Sequence, residues 1–166
     1  MDISGVGCGL VKDWGVMQTL VEKLPNPNIR RVDIAADYFA NEVTHEMVYD
    51  AYQAGEFKKA GTGGKPPKMN QILPGSTDEG RTIYIGTRDS DSYFRGYEKG
   101  KKEFQGLVEF LAKQGCGTHL EAHTHTKNDT SYQLGDWYRC ELEMKGKTRE
   151  IPLDVFDNRD EYFAGA

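Results

Sequence analysis

The sequence predicts an α+β domain built on a largely antiparallel sheet with helices packed on one of its faces. Three observations carry this. Segments with strand-like alternation recur at RVDIAAD, RTIYIG, YFRGYEK and WYRCELEM. Helical apolar stripes fall between them without the regular alternation of a doubly wound parallel sheet, and no internal repeat is visible. Finally, 166 residues with 11% aromatics suit a single domain, 1–166, around one core.

Taken in order, GVGCG lacks the spacing of a phosphate-binding loop and reads as a strand end or turn. Asp13 can cap a helix whose stripe is Met17, Leu20, Val21 and Leu24, stopped by Pro25 and Pro27. In RVDIAAD, Val32, Ile34 and Ala36 share one face, and Arg31, Asp33 and Ala35 the other. Thr44 opens a second helix with Met47, Val48, Ala51 and Tyr52 on one side, ending at Gly55. Residues 58–80 are rich in Gly and Pro and read as a long loop, either a flexible insertion or a basic binding loop carrying Lys58, Lys59, Lys65 and Lys68. RTIYIG and YFRGYEK form a hairpin across TRDSDS, and Phe104, Leu107, Val108 and Leu111 stripe a helix closed by Gly115. A polar, His-rich stretch precedes the strand WYRCELEM, where Cys140 should point into the core. Pro152 then opens a last helix.

Cys8, Cys116 and Cys140 are odd in number and far apart, which argues against a disulfide framework. No apolar run approaches the roughly 18 residues that span a bilayer, and the N-terminus lacks the order of a signal peptide. The expectation is a cytoplasmic protein with no membrane partner. A formal net charge of -5 repels a polyanion in bulk, so any nucleic-acid contact needs local basic patches.

Three strands carry charge on one face: Arg31 and Asp33; Arg95, Tyr97 and Lys99; Arg139, Glu141 and Glu143. Paired side by side, they would either form a solvated surface with scattered ion pairs or bring carboxylates, cations and a tyrosine within reach of one ligand. In the second case the carboxylates suit a hard divalent cation, the cations suit phosphate oxygens, and the phenol can attack phosphorus. His119, His123 and His125 form another cluster, either transition-metal ligands or an exposed polar loop, because no single regular element aligns all three.

In the order IRRVDIAADYF, DAYQAGEF, GRTIYIGTRDSDSYFRGYEKGKKE and WYRCELEMKGKTREIPLDVF, the chain resembles the replication initiation factor family of filamentous phages and rolling-circle plasmids. The resemblance implies an endonuclease that nicks one strand at a replication origin, through a tyrosine that becomes linked to the 5′-phosphate. Tyr97 matches the nucleophile, with Lys99 beside it in the motif as a catalytic cation. Asp33 and Glu141 match acidic positions taken as ligands of Mg²⁺ or Mn²⁺, and Arg95, Lys101, Arg139, Lys58 and Lys59 would contact DNA. The implied partners are single-stranded origin DNA and a host helicase. Against the family layout, residues 104–135 read as an insertion and the N-terminus as shortened. The rival readings are a non-catalytic single-stranded DNA-binding or regulatory protein and a histidine-metal hydrolase.

Overall fold

The computed structural model describes residue 3 and residues 5–58, 64–75, 80–114, 124–127 and 130–164. Five helices are assigned among them: α1 (Gly5–Leu10), α2 (Trp14–Glu22), α3 (His45–Ala54), α4 (Lys99–Lys113) and α5 (Arg159–Ala164). The strands are β1 (Arg31–Tyr38), β2 (Met69–Ile72), β3 (Thr82–Ile85), β4 (Ser92–Tyr97), β5 (Thr124–Lys127), β6 (Thr130–Gln133) and β7 (Tyr138–Lys145). Five of the strands form one sheet in the order β1-β7-β4-β3-β2, and every pairing in it is antiparallel. β5 and β6 pair as a separate hairpin.

Two-residue alternation gives this sheet two different faces. Ile34, Ile83, Ile85, Tyr138, Cys140 and Leu142 are buried on one of them. α3 packs there through Val48 and Tyr52, while Val155, from the 3-10 turn Leu153–Phe156, joins Ile34 and Ile151 with Tyr162 and Phe163 of α5. The helices cover one face, as expected. Removing a fully buried aliphatic side chain such as Ile83 would cost about 2–5 kcal/mol.

Local signals explain most element ends. Asp13 accepts from the Val16 N–H at 3.0 Å and starts α2. Thr44 accepts from the Met47 N–H at 3.2 Å and starts α3, which Gly55 stops at φ +84°. Gly96 lies on the covered face, where a Cβ would come 2.5 Å from the Tyr138 hydroxyl, so the Tyr138 ring fits only against a glycine.

Several expectations are corrected. GVGCG lies in the short helix α1 and is not a strand end. On α3 the buried residues are His45 and Val48, whereas Met47 is exposed. β2 lies within residues 58–80, and β5 and β6 lie within the His-rich stretch. β4 ends at Tyr97 and α4 starts at Lys99, five residues before Phe104. Pro152 caps a 3-10 turn rather than opening the last helix.

Candidate active site

The open face of the sheet collects the charged side chains in three cross-strand rows. Asp33 faces Glu143, which faces Tyr93. Ala35 faces Glu141, then Arg95 and Tyr84. Asp37 faces Arg139, then Tyr97 and Thr82. Residues distant in sequence, at 33, 97 and 141, therefore share one surface because β7 inserts between β1 and β4.

At its centre, the Tyr97 hydroxyl donates to Glu141 Oε1 at 2.8 Å. The other oxygen, Oε2, accepts from Arg95 Nε at 2.9 Å and pairs with Arg95 Nη2. Two cations lie over the Tyr97 ring: the Arg95 guanidinium at 5.0 Å and Lys102 Nζ at 4.9 Å from its centroid. Burial pushes the Tyr97 phenol up, the Glu141 carboxylate adds to the rise, and Arg139 and Arg95 oppose it; the result is about 12. Tyr97 is therefore neutral at ordinary pH, with a carboxylate positioned at its proton.

A second group lies at the Tyr97 end of the sheet. Asp37 accepts two hydrogen bonds from Arg139, each 2.6 Å, and one from the Trp137 indole at 2.7 Å. Lys99 pairs with Glu103 and lies 4.9 Å from the Trp137 ring centroid. Lys99 thus does not share Tyr97's face as the next alternate residue of an extended strand; the second cation on the ring is Lys102. Lys102 also donates to Thr82 Oγ1 at 2.7 Å, and burial lowers its pKa. Asp37 and Trp137 were not singled out from sequence. Carrying the β1 alternation one step past Ala35 reaches Asp37, and a helix begun at Lys99 brings Lys102 one turn on.

The other expected residues are spread more widely. Asp33 is bound by Arg31 at 2.6 and 2.8 Å, and Glu143 by Arg31 at 2.7 Å and Lys145 at 2.6 Å. Asp33, Glu141 and Glu143 line a depression of about 250 Å³. Lys101 pairs instead with Glu98 at 3.0 Å, away from this depression. Lys58 follows α3, and Lys59, Cys116, His119 and His123 lie outside the described residues. His125 stands in β5, in register with Tyr132.

In donor chemistry, Asp33 and Glu141 suit Mg²⁺ or Mn²⁺, since both offer hard carboxylate oxygens on one face. Their register is diagonal, with Asp33 opposite Glu143 and Glu141 opposite Ala35. Among the described residues, no three acidic, His or Cys side chains converge as a preformed cage. A cation there would exchange with Arg31 and Arg95 for the same oxygens.

No match was found among curated proteins. The chain is similar to a rolling-circle replication initiator protein from Geobacillus stearothermophilus, at 19% identity and a TM-score of 0.46 over 97% of this chain, and it spans 48% of that one. The model of the replication initiation factor family matches residues 27–112, from before β1 to near the end of α4 and just over half of the sequence. The chain belongs to the replication initiation factor family.

Proposed function

We propose that this chain nicks and rejoins one DNA strand at a rolling-circle origin through a covalent 5′-phosphotyrosine on Tyr97. The observation that carries this is the Tyr97 hydroxyl held 2.8 Å from Glu141 on an open sheet face lined with cations, in a chain of the replication initiation factor family. With the phenol pushed up to about 12, spontaneous ionisation supplies little nucleophile, so a proton acceptor is needed in the attack itself. Glu141 Oε1 takes the phenolic proton as the Tyr97 oxygen forms its bond to phosphorus. The P–O3′ bond breaks, and the departing 3′ oxygen acquires a proton from solvent. Rejoining reverses these transfers, with a 3′-hydroxyl as attacking group and the phenol as leaving group.

Arg95 and Arg139 border the nucleophile and would hold the non-bridging phosphate oxygens, each released in turn from Glu141 or Asp37. Lys99 would add charge from the Trp137 side of the same strand end. Asp33 and Glu141, through its Oε2, would hold a divalent metal, Mg²⁺ or Mn²⁺, which when bound withdraws charge from the scissile phosphate. Lys58, Lys59 and Lys101 would contact DNA, and a host helicase would unwind from the nick.

The test is to incubate the protein and Mn²⁺ with labelled single-stranded oligonucleotides tiled across its own replicon. A denaturation-resistant complex should form at one sequence, and peptide mapping should place a phosphonucleotide on Tyr97. Tyr97→Phe should bind the same oligonucleotide and give no adduct. Binding without any adduct in the unaltered protein would establish the non-catalytic reading, and an adduct on another residue would overturn the assignment of Tyr97.

A further inference from the structure

The stacked tyrosines Tyr84 and Tyr93 are left unused by the proposed chemistry. They stand on neighbouring strands of the same open face, diagonal to one another, with ring centroids 5.7 Å apart and planes 15° from parallel. Both are partly exposed. Together they form a wall common to two depressions. One holds Arg95 and Glu141, and the other, of about 270 Å³, is bounded by Lys68, Asn70 and Arg88. Gly86 borders the second depression at φ +98°, where a side chain would be strained and its Cβ would lie 3.1 Å from the Ser92 carbonyl.

We infer that the Tyr84–Tyr93 stack is a nucleobase subsite, which holds a base of the bound single strand beside the nicking centre. The inference rests on the reading of this face as a DNA-nicking site. Tyr93 and Tyr97 lie four residues apart on β4, roughly 13 Å along the strand, with Arg95 between them on the same face. A single strand crossing this face thus meets a base platform, a guanidinium and the nucleophile in succession. Flat paired rings accept the π-face of any base, and the exposed Lys68 and Arg88 at the rim supply the charge its phosphates require. The depressions are open, which suits one base of a polymer better than a small molecule that must be enclosed on most sides.

The test uses the full chain without divalent metal, so that no strand is cut. A roughly twelve-nucleotide deoxythymidylate oligomer, fluorescently labelled, carries one abasic position that is moved along its length. Loss of a base at one position should weaken binding by about tenfold, and Tyr84→Leu or Tyr93→Leu should abolish that dependence while Tyr84→Phe and Tyr93→Phe keep it. In the unaltered protein, 5-iododeoxyuridine at the sensitive position should crosslink to Tyr84 or Tyr93, a result that needs no variant to fold. A flat abasic profile, or a crosslink elsewhere, overturns the subsite. The nicking reading fails separately: an absent Tyr97 adduct with the abasic dependence intact leaves the subsite standing, while a Tyr97 adduct with a flat profile removes the subsite alone.

Discussion

Tyr97 and Tyr138 lie on adjacent strands with their rings on opposite faces of the sheet, and both phenols are held protonated far into alkaline pH. The causes of the two rises differ. At Tyr138, burial dominates, with the ring 2% exposed beside Gly96 and no acceptor for its hydroxyl among the described residues. At Tyr97, burial acts together with a carboxylate that already accepts the hydroxyl's hydrogen bond, on a face that solvent reaches. A raised phenol pKa therefore does not by itself mark a nucleophile. A proton acceptor and an approach for phosphorus do.

The largest effect expected from breaking this contrast is at Glu141. Glu141→Gln keeps a hydrogen-bonding group beside Tyr97 but cannot take its proton, so single-turnover nicking should fall by about 10²- to 10⁴-fold while oligonucleotide binding persists. Nicking above a tenth of the unaltered rate would show that the proton leaves by another route.

Glu98, next to Tyr97 in sequence, is the structural counterpart of Glu141, a carboxylate bonded to Arg81 and Lys101 rather than to the phenol. Burial pushes it up, but hydrogen bonds from the Arg81 side chain and backbone, with Lys101, outweigh this and hold it at about 2. Its folded pKa is depressed, so its contribution is full above the unfolded value near 4.5 and is lost as pH falls through about 2. Glu98→Gln should cost roughly 3 kcal/mol in urea unfolding near neutral pH, with the difference from the unaltered protein narrowing below about pH 4. An equal cost at pH 3 and pH 7 would contradict the linkage.

The same residue explains one place where the sequence was misleading. Alternation carried YFRGYEK forward as one strand, but Glu98 turns back to bond the Arg81 N–H at 2.8 Å, so β4 stops at Tyr97 and α4 begins at Lys99. Long-range bonds of that kind leave no trace in a local pattern. β2 was hidden for a related reason, since MNQI lies among Gly and Pro and is extended through pairing with β3. The helical state of GVGCG runs against the low helix propensity of glycine and has no sequence signal that we can name. By contrast, β1 and β7 were legible because β7 keeps strict alternation for eight residues and β1 does so but for Ala35, with apolar and charged faces opposed. That also made the grouping of Asp33, Arg95, Tyr97 and Glu141 on one face legible. What alternation could not supply was the strand order, and hence which carboxylate meets the phenol.

Tyr138→Phe sharpens the comparison from the buried side. The change removes a hydroxyl that has no acceptor among the described residues and keeps the ring that packs with His45 and over Gly96. Unfolding free energy should rise, or stay within about 1 kcal/mol, and nicking should be unchanged. A loss of several kcal/mol would mean that the hydroxyl holds a buried water between itself and the His45 ring.

The smallest effect is an alkaline one, and it isolates Tyr97 from the other groups that resist ionisation. Its pKa rises from an ordinary value near 10 to about 12 on folding, so between those limits the folded chain holds a proton that the unfolded chain has released. Stability from this group is complete below about pH 10 and is lost as pH rises through 12. Cys140, pushed up by burial to about 12, acts in the same direction from about pH 9. The unaltered protein should therefore lose stability steadily above pH 9, and Tyr97→Phe should lose less of it between pH 10 and 12, by under about 1 kcal/mol because solvent screens the exposed side of the site. Urea unfolding at stepped pH measures the difference. If Tyr97→Phe and the unaltered protein run parallel through that window, the phenol is not buried against Glu141 in solution, and the contrast with Tyr138 loses its basis.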